Sequence, residues 1–304
     1  MSAPLPRLAV TGAGGFVARH LLRRAAAERW DAVGIVRSEA GAQSVLASGA
    51  RPIAVTGLER GALTGAFAGA SVVVHLAQIG SERAGERYET VNVAGTRAVT
   101  EAARDAGVER IVSLSGLGVA RYGMSRRCTN PYFLSKLAAE VELFRSGLPV
   151  AVFRPSFIVG PGSAWIADLR RQFAAGEVER VGDGSYRMQP VAVADAAQAI
   201  LAAARGLAAR HAVFDLVGPE AVSYHDLQNR LVRAAGPGRA ISIREVPVPE
   251  AERQAAAGGY HGMLPDELDC LLCDEVADAR PLAALLGRPL TALDEALVAA
   301  LRDS

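Results

Sequence analysis

The chain has 304 residues, half of them hydrophobic, which is enough to bury a large core in one or two domains. Its 33 basic and 32 acidic residues are scattered along the chain, which excludes the basic stripe of a dedicated nucleic-acid binder. No apolar run approaches the roughly 20 residues of a membrane span, and the N-terminal residues lack a secretory signal pattern. Three cysteines make no disulfide framework, so the sequence predicts a globular, cytoplasmic protein.

The first half of the chain alternates short apolar runs with longer amphipathic stretches, which is typical of a parallel sheet covered by helices on both faces. The predicted strands of this half are residues 8–11, 32–37, 52–55, 71–76, 110–115 and 150–154. The predicted helices between them are residues 16–29, 40–47, 60–67, 86–106 and 131–145. The pair Asn130 and Pro131 predicts the start of the last helix, because Asn caps free amides and Pro suits the first turn.

The second half of the chain has a looser rhythm, which begins after Pro155. Its predicted helices are residues 165–175, 193–205 and 224–235, followed by short Ala/Leu-rich helices near the end. Its predicted strands are residues 211–217 and 241–246.

A glycine-rich turn lies at the first predicted strand–helix junction, in the segment LAVTGAGGFVARHLL. Gly12, Gly14 and Gly15 let the backbone turn tightly and approach a ligand without a Cβ in the way. The helix that follows, beginning with Phe16 and Val17, presents free N–H groups to a phosphate. In an alternating β/α chain, this position favours dinucleotide binding over an ordinary tight turn.

These patterns together predict a Rossmann-type α/β fold, a doubly wound parallel sheet with a smaller C-terminal α/β portion that binds substrate. We expect the dinucleotide-binding domain at residues 1–160 and the substrate-binding portion at residues 161–304. Within the second portion, we expect residues of about 190–218 to return to the first sheet.

The end of the second predicted strand reads GIVRS, with Arg37 and Ser38 and no carboxylate before Glu39. NAD sites usually place Asp or Glu at this point, whereas an arginine favours a 2′-phosphate. The segment therefore indicates NADP(H), with NAD(H) as the alternative. A solvated arginine at a strand end is the competing explanation, because 32 of the 33 basic residues are arginine.

The only lysine of the chain, Lys136, follows Tyr132 by four residues in PYFLSK. On a helix this spacing places both side chains on one face. A phenol has a pKa near 10, so it serves as an acid–base group at neutral pH only when its anion is stabilised. A neighbouring ammonium supplies that stabilisation. An exposed helical Tyr–Lys pair without a catalytic role is the alternative.

These segments, with HLAQ, VNVAGT, IVSLSGLG, FRPSFIVGPG and MQPVAVADAA in this order, resemble the extended or atypical short-chain dehydrogenases/reductases. That group includes NAD(P)-dependent epimerases, dehydratases and reductases. The segments GIVRS, SGLG and PYFLSK are especially similar to the atypical members, among them the NADPH-binding accessory subunit of respiratory complex I.

The resemblance implies that Tyr132 is the general acid/base and that Lys136 binds the nicotinamide ribose and lowers the pKa of this tyrosine. It makes Ser115 the nearest candidate for the hydroxyl that orients a substrate carbonyl. The other cofactor contacts that it implies come from His75, Leu76, Ala77, Gln78, Asn92, Arg154 and Pro155.

Three positions depart from the family pattern. Ala18 replaces the third glycine of the turn, and Gly57 stands where an acidic residue often follows the third strand. Gly116 falls where the extended reductases carry their catalytic hydroxyl, so either Ser115 takes this role from one residue away or the site works without that hydroxyl.

The predicted function is that of an NADP(H)-dependent oxidoreductase acting on a small molecule with a carbonyl or secondary alcohol. An NAD-dependent nucleotide-sugar epimerase or dehydratase is one alternative, and a non-catalytic NADPH-binding protein that stabilises or regulates a partner is another. Pairing through the predicted helices 86–106 and 131–145 is common in this family, which makes a homodimer a candidate assembly.

Several other signals receive the simpler interpretation. Cys270 and Cys273 form a CxxC in a Leu-rich stretch with Cys128 far away in sequence, so we expect packing cysteines and no metal site. Arg126 and Arg127 are candidates for an anionic substrate, although a solvated loop is favoured. Six large side chains are candidates for a substrate pocket, with packing favoured for most of them: Trp165, Phe173, Met188, Tyr224, Tyr260 and Met263.

Overall fold

The computed structural model describes residues 7–83, 85–206, 210–235 and 241–302 of the chain. Its strands in chain order are β1 (Leu8–Thr11), β2 (Ala32–Val36), β3 (Arg51–Ala54), β4 (Val72–His75), β5 (Arg110–Leu114), β6 (Val150–Pro155), β7 (Ile158–Val159), β8 (Glu177–Val181), β9 (Arg187–Met188), β10 (Val191–Ala192), β11 (His211–Leu216), β12 (Val222–Ser223) and β13 (Ser242–Val246).

The α-helices in chain order are α1 (Phe16–Ala27), α2 (Glu39–Ala47), α3 (Arg60–Ala66), α4 (Gly95–Asp105), α5 (Pro131–Arg145), α6 (Ala164–Ala175), α7 (Val193–Ala204), α8 (Tyr224–Ala234), α9 (Val248–Ala256), α10 (Pro265–Leu272), α11 (Arg280–Leu286) and α12 (Leu293–Arg302). A π-helical turn at Glu89–Ala94 leads into α4, and a 3₁₀ turn at Leu117–Arg121 follows β5. Within the described residues, no helix is both long and apolar enough to cross a bilayer.

Seven parallel strands form the central sheet in the order β11-β6-β5-β4-β1-β2-β3. The strand order reverses between β1 and β4, and the carboxyl ends of these strands open a crevice at such a switch point. Apolar runs such as VVVH in β4 are buried along their whole length because helices cover both faces of the sheet. The predicted doubly wound parallel α/β fold is confirmed.

Two buried clusters cover the two faces of the sheet. One contains Leu21 and Leu22 of α1 and Ile200 of α7, all fully buried against β1, β4 and β6. The other contains Phe67 after α3 and Val99 of α4 on the opposite face. Burial of each such side chain contributes about 1.5–3 kcal/mol, so packing on both faces fixes the strand ends that carry the site.

A third cluster forms the core of the C-terminal half. It joins α6, α8, α10 and α12 to the small parallel pair β8–β13, with Phe173 and Leu227 at its centre. Two elements of this half reach back to the central sheet. Strand β11 pairs with β6 at the sheet edge, and α7 packs against α1.

The region predicted as one helix over residues 86–106 is instead the π-helical turn Glu89–Ala94 followed by α4. Tertiary hydrogen bonds explain the wider turn. The Asn92 side chain accepts from Ile79 N at 2.9 Å and donates to Ile79 O at 3.0 Å, which holds this turn against the loop after β4. Such π-turns are frequent at functional sites, and this one lies beside the crevice.

Candidate active site

A cleft of about 390 Å³ opens at the carboxyl ends of β1, β2 and β4. Most of its wall is backbone or apolar side chain, and its lining includes Gly12, Gly14, Gly15, Arg37, Ser38, Gly41, Val55, Leu58, Leu76, Ala77, Gln78, Ile79 and Thr90. We call it the nucleotide cleft. It brings together eight of the predicted cofactor-binding residues from three separate segments of the chain: Gly12, Gly14, Gly15, Arg37, Ser38, Leu76, Ala77 and Gln78.

The glycine turn brings the backbone closer to this cleft than a side chain would allow. Gly12 has φ of +66°, and a Cβ on it would lie 2.7 Å from the backbone nitrogen of Ala77. Gly15 precedes α1, and no side chain caps the free N–H groups of this helix start. The predicted residues Phe16 and Val17 form the first turn of α1. This cradle fits a dinucleotide pyrophosphate, because its donors face the cleft and only glycine leaves the space.

The end of β2 supplies the only charged side chain among the residues known to line the nucleotide cleft. That side chain is Arg37, and its Nη1 pairs with Glu86 at 2.9 Å. Ser38 caps α2, because its Oγ accepts from Gly41 N at 3.2 Å. No Asp or Glu belongs to this described lining, so a ribose 2′-phosphate would meet a cation there and no lining carboxylate.

The loop after β4 forms the floor of the cleft. Leu76 and Ala77 line it as predicted, whereas His75 is buried in β4 between Thr11 and Thr96. Burial lowers the pKa of His75 to about 3, so this imidazole is neutral and structural. Asn92 is also buried and contributes through the loop, which it holds by both hydrogen bonds to Ile79.

Lys136 lies buried on α5, and its side chain contacts the loop after β4. Its Nζ donates to Leu114 O at 2.8 Å and to the side-chain oxygen of Gln78. Burial lowers the pKa of Lys136 to about 7, with an opposing contribution from Glu140. The Lys136 amino group is therefore hydrogen-bonded at the edge of the nucleotide cleft.

A second cleft of about 550 Å³ adjoins the first and contains Tyr132. Ser115 and Gly116 lie in the same wall, and Pro155 also lines this second cleft. Burial raises the pKa of the Tyr132 hydroxyl, and nearby Glu275 contributes in the same direction. We call this space the substrate cleft.

The wall beside Tyr132 contains Gly116, where the extended reductases carry a hydroxyl, and the two neighbouring rings leave little space for a side chain there. A Cβ on Gly116 would lie 3.1 Å from the Phe133 ring and 3.8 Å from the Tyr132 ring. Ser115 is buried one residue earlier, and its Oγ has no hydrogen-bond partner among the described residues. Ser115 lines both the substrate cleft and a small void beside Lys136, and a buried hydroxyl without a partner is a candidate ligand contact.

The far wall of the substrate cleft comes from the C-terminal half. Trp165 and Met263 line it, as two of the six candidate pocket residues. The other four are buried in the C-terminal core: Phe173, Met188, Tyr224 and Tyr260. The sequence reasoning did not select His261, Glu267 and Glu275, which also line this cleft from the segment around α10. The CxxC of Cys270 and Cys273 is the one sequence signal in that segment, and it was interpreted as packing.

Three arginines that were candidates for cofactor or substrate contacts form ion pairs within the protein. Arg154 forms a bidentate ion pair with the buried Glu140 of α5, with Nε 2.9 Å from Oε1 and Nη2 2.6 Å from Oε2. This pair holds the helix that carries Lys136. Arg127 pairs with Asp269 at 2.6 Å, and both Arg126 and Arg127 pair with Glu252. These arginines are neutralised by the protein's own carboxylates, so the loop is neither free nor aimed at an anion.

The three cysteines lie in one cluster, although Cys128 is far from the others in sequence. Cys128 and Cys273 are buried, and Cys270 packs against them at the edge of the substrate cleft beside Tyr132. The loop before α5 folds onto α10, which brings Cys128 against the CxxC in one packed cluster. Across the described ranges, no three His, Cys, Asp or Glu side chains are placed to hold a metal ion.

A seven-stranded parallel sheet, a glycine turn after β1 and a Tyr–Lys helix beside the crevice define the class of short-chain dehydrogenases/reductases. Residues 8–214 match the model of the NAD dependent epimerase/dehydratase family, and the chain belongs to that family. The resemblance seen in the sequence is confirmed.

Two curated relatives are reductases. The 4-hydroxy-2-methyl-3-oxo-4-farnesyl-3,4-dihydroquinoline-1-oxide ketoreductase of Stigmatella aurantiaca is 32% identical over 214 residues, covering 65% of this chain and 64% of that protein. The ceramide reductase of Caulobacter vibrioides is 30% identical over 206 residues, covering 65% of this chain and 61% of that protein. The chain thus spans less than two thirds of the length of either relative.

Solved structures share the fold over nearly the whole chain. MoeE5 in complex with UDP-glucose and NAD has a TM-score of 0.75 at 25% identity, covering 97% of both chains. The Bordetella bronchiseptica enzyme WbmH in complex with NAD+ has a TM-score of 0.73 at 19% identity, covering 98% of this chain and 97% of that one. The likeness to WbmH shows the fold alone.

Proposed function

We propose that the chain is an NADP(H)-dependent oxidoreductase that interconverts a small-molecule carbonyl and a secondary alcohol. The observation that carries this proposal is the position of α5 between the two clefts. Tyr132 on this helix lines the substrate cleft, while Lys136 one turn later bonds to Gln78 of the nucleotide cleft. The family membership and the two curated reductases support the same reaction class.

When bound, the nicotinamide group supplies or accepts the hydride. The chain's own residues handle the proton. In the reduction direction, Tyr132 donates its hydroxyl proton to the carbonyl oxygen as negative charge develops there. Burial raises the pKa of Tyr132 instead of lowering it as the resemblance implied, so the hydroxyl is protonated at neutral pH and the charge of Lys136 must offset this rise for the proton to leave. The positive charge of Lys136 stabilises the Tyr132 phenolate that forms when the proton leaves.

Ser115 takes the orienting role that Gly116 cannot fill. Ser115 lines the substrate cleft, and its buried Oγ has no partner among the described residues, so in this proposal it donates to the carbonyl oxygen together with Tyr132. Two donors on one oxygen polarise the carbonyl and fix its orientation.

The catalytic part of the proposal is tested with Tyr132→Phe and Ser115→Ala. Tyr132→Phe should lower hydride transfer by roughly 100-fold or more while NADPH affinity, followed by NADPH fluorescence, changes little. Ser115→Ala should lower the rate by about 10-fold or more. The matched control is Tyr122→Phe, because Tyr122 packs in the same cluster as Tyr132 and is not part of the described lining of either cleft. An unchanged rate in Tyr132→Phe would remove the mechanism.

The preference for NADP(H) rests on Arg37 and on the lack of a lining carboxylate at the end of β2. Fluorescence titration should show tighter binding of NADPH than of NADH, and Arg37→Met should weaken NADPH binding alone. Tighter binding of NADH by the unmodified protein would overturn this preference.

A further inference from the structure

The charged side chains that line the substrate cleft are nearly all neutralised by the protein itself. Asp168 pairs with Arg171 at 2.7 Å, and Glu267 pairs with Arg83 at 2.7 Å. His261 Nε2 lies 2.9 Å from a carboxylate oxygen of Glu179. Arg171 is the single Arg or Lys among the described lining residues, and it points largely into solvent with 71% of its side chain exposed.

Glu275 is the exception. It lines the cleft together with Tyr132 and Ser115, it is 6% exposed, and it forms no ion pair within the part of the chain that the structure describes. Its backbone N donates to Arg187 O at 2.8 Å, which fixes its position after α10. A buried carboxyl without a cationic partner is costly, and such groups in a cleft are candidates for ligand recognition.

The surroundings of Glu275 favour its uncharged form at neutral pH. Burial raises its pKa to about 8, and the Cys128 thiol contributes in the same direction. A hydrogen bond from Ser156 and the charge of Arg121 oppose this rise. A protonated carboxyl can both donate and accept a hydrogen bond, which suits a neutral ligand.

Most of the remaining lining is apolar and includes Phe157, Ile158, Trp165, Met263 and Leu271, with hydroxyls from Ser115, Ser156 and Tyr132. A nucleoside diphosphate carries at least two negative charges and needs unpaired cations at its binding site. Arg171 is already paired, so this cleft matches an uncharged, mainly apolar molecule.

We propose that Glu275 is the specificity-determining residue of the substrate cleft, whose carboxyl holds a hydroxyl or amide N–H of an uncharged, otherwise apolar carbonyl substrate. This inference rests on the proposed function, which makes the cleft a binding site for substrate. The binding of a ligand near Glu275 can be measured separately from hydride transfer.

The test compares two probes that differ by one hydroxyl, 1-hydroxy-2-dodecanone and 2-dodecanone, with UDP as a third ligand. Binding to the full chain, with and without NADPH, is followed by tryptophan fluorescence and by calorimetry. Trp165 lines the cleft, whereas Trp30, the other tryptophan, is buried beneath Arg205. The wild type should bind the hydroxyketone about tenfold more tightly than the ketone, and UDP should not compete.

Two variants distinguish the hydrogen-bonding capacity of the Glu275 side chain from its volume. Glu275→Leu should bind both ketones equally, because it retains bulk and loses the hydrogen bond. Glu275→Gln should keep most of the discrimination, since an amide also donates and accepts. The matched control Glu220→Gln, at a carboxylate that pairs with Arg230 outside the described lining of the cleft, should change the binding of neither ketone.

Three results would overturn the inference: equal binding of the two ketones by the wild type, UDP displacing them, or no ketone binding up to the solubility limit. Failure of hydride transfer with normal discrimination between the ketones would count against the proposed function and leave the role of Glu275 standing.

Discussion

The ammonium of Lys136 is hydrogen-bonded to the side-chain oxygen of Gln78, which ties α5 to the loop that lines the nucleotide cleft. The same ammonium also donates to Leu114 O at the end of β5, at 2.8 Å. The chain's one lysine is thus buried at the point where the helix, the strand end and the loop meet. A guanidinium is larger and planar, so it could not make the same pair of contacts in this space.

The burial of Lys136 predicts a pH-dependent contribution to stability. Its pKa is lowered from 10.5 to about 7, so between these values the unfolded chain binds more protons at this site than the folded chain. The free energy of unfolding contributed by this site therefore rises with pH through that window and is least favourable below about pH 7. Relative to Lys136→Met, the ligand-free wild type should gain roughly 2–3 kcal/mol between pH 7 and 9.5.

Urea unfolding of both proteins at several pH values measures this difference. The control is Gln78→Met, which removes the hydrogen-bond partner and keeps the buried lysine, so its pH dependence should match that of the wild type. If the difference between wild type and Lys136→Met does not vary with pH, the lysine titrates normally and the interpretation is wrong.

A buried carboxylate elsewhere predicts a large loss of stability. Asp195 of α7 is fully buried and accepts from Arg288 at 2.6 Å, Thr291 N at 2.7 Å and Thr291 Oγ1 at 3.0 Å. This network joins α7 on the central sheet to the segment before α12. Asp195→Ala leaves these donors unpaired and should cost about 2–4 kcal/mol of unfolding free energy.

The matched control is Asp278→Ala. Asp278 also pairs with an arginine, Arg280, but the two side chains are 47% and 90% exposed. Solvent screens such a pair, so its loss should leave the free energy of unfolding nearly unchanged. Equal effects of the two substitutions in urea unfolding would show that the Asp195 network is not structural.

The sequence predicts the central sheet well because each strand is a short apolar run bounded by turn residues. Strand β1 and helix α5 have the predicted bounds, since a glycine turn follows the first and Asn130 with Pro131 begins the second. The cradle at Gly12 was predictable for the same reason, as its local conformation is encoded in a few adjacent residues.

The remaining features depend on contacts between distant segments. The π-helical turn at Glu89–Ala94 arises from hydrogen bonds between Asn92 and Ile79, which no helical periodicity reveals. Glu275 and Tyr132 line the same cleft only because the segment around α10 folds over it. Short Ala/Leu-rich helices carry no motif that specifies where they pack, so that wall of the site could not be predicted.

The pair of Arg37 and Glu86 predicts a variant with higher affinity for NADPH. Their side chains are 59% and 37% exposed and lie 2.9 Å apart. Glu86 competes with a 2′-phosphate for the same guanidinium, and it adds negative charge near it. An exposed pair is worth up to about 1 kcal/mol, so Glu86→Gln should tighten NADPH binding by up to about fivefold.

NADH binding should be unchanged in Glu86→Gln, because NADH has no 2′-phosphate. Glu142→Gln serves as the control, since Glu142 pairs with Arg97 on the surface of α4 and α5, away from the described cleft lining. Fluorescence titration with both nucleotides measures the effect. Equal tightening of NADH, or weaker binding of NADPH, would show that Arg37 does not meet a 2′-phosphate.

The last prediction separates backbone strain from steric exclusion at the glycine turn. Gly12 and Gly107 both have positive φ, +66° and +74°, so alanine at either position should cost about 1–2 kcal/mol of stability. Only at Gly12 would the new Cβ meet backbone, 2.7 Å from Leu76 C and Ala77 N, whereas nothing lies within 4 Å at Gly107. Gly12→Ala should therefore displace the loop after β4 and weaken NADPH binding by roughly 100-fold or more, while Gly107→Ala binds normally. Thermal unfolding and NADPH titration of the two variants test this directly, and comparable nucleotide affinity in both would mean that the close approach at Gly12 is not needed for binding.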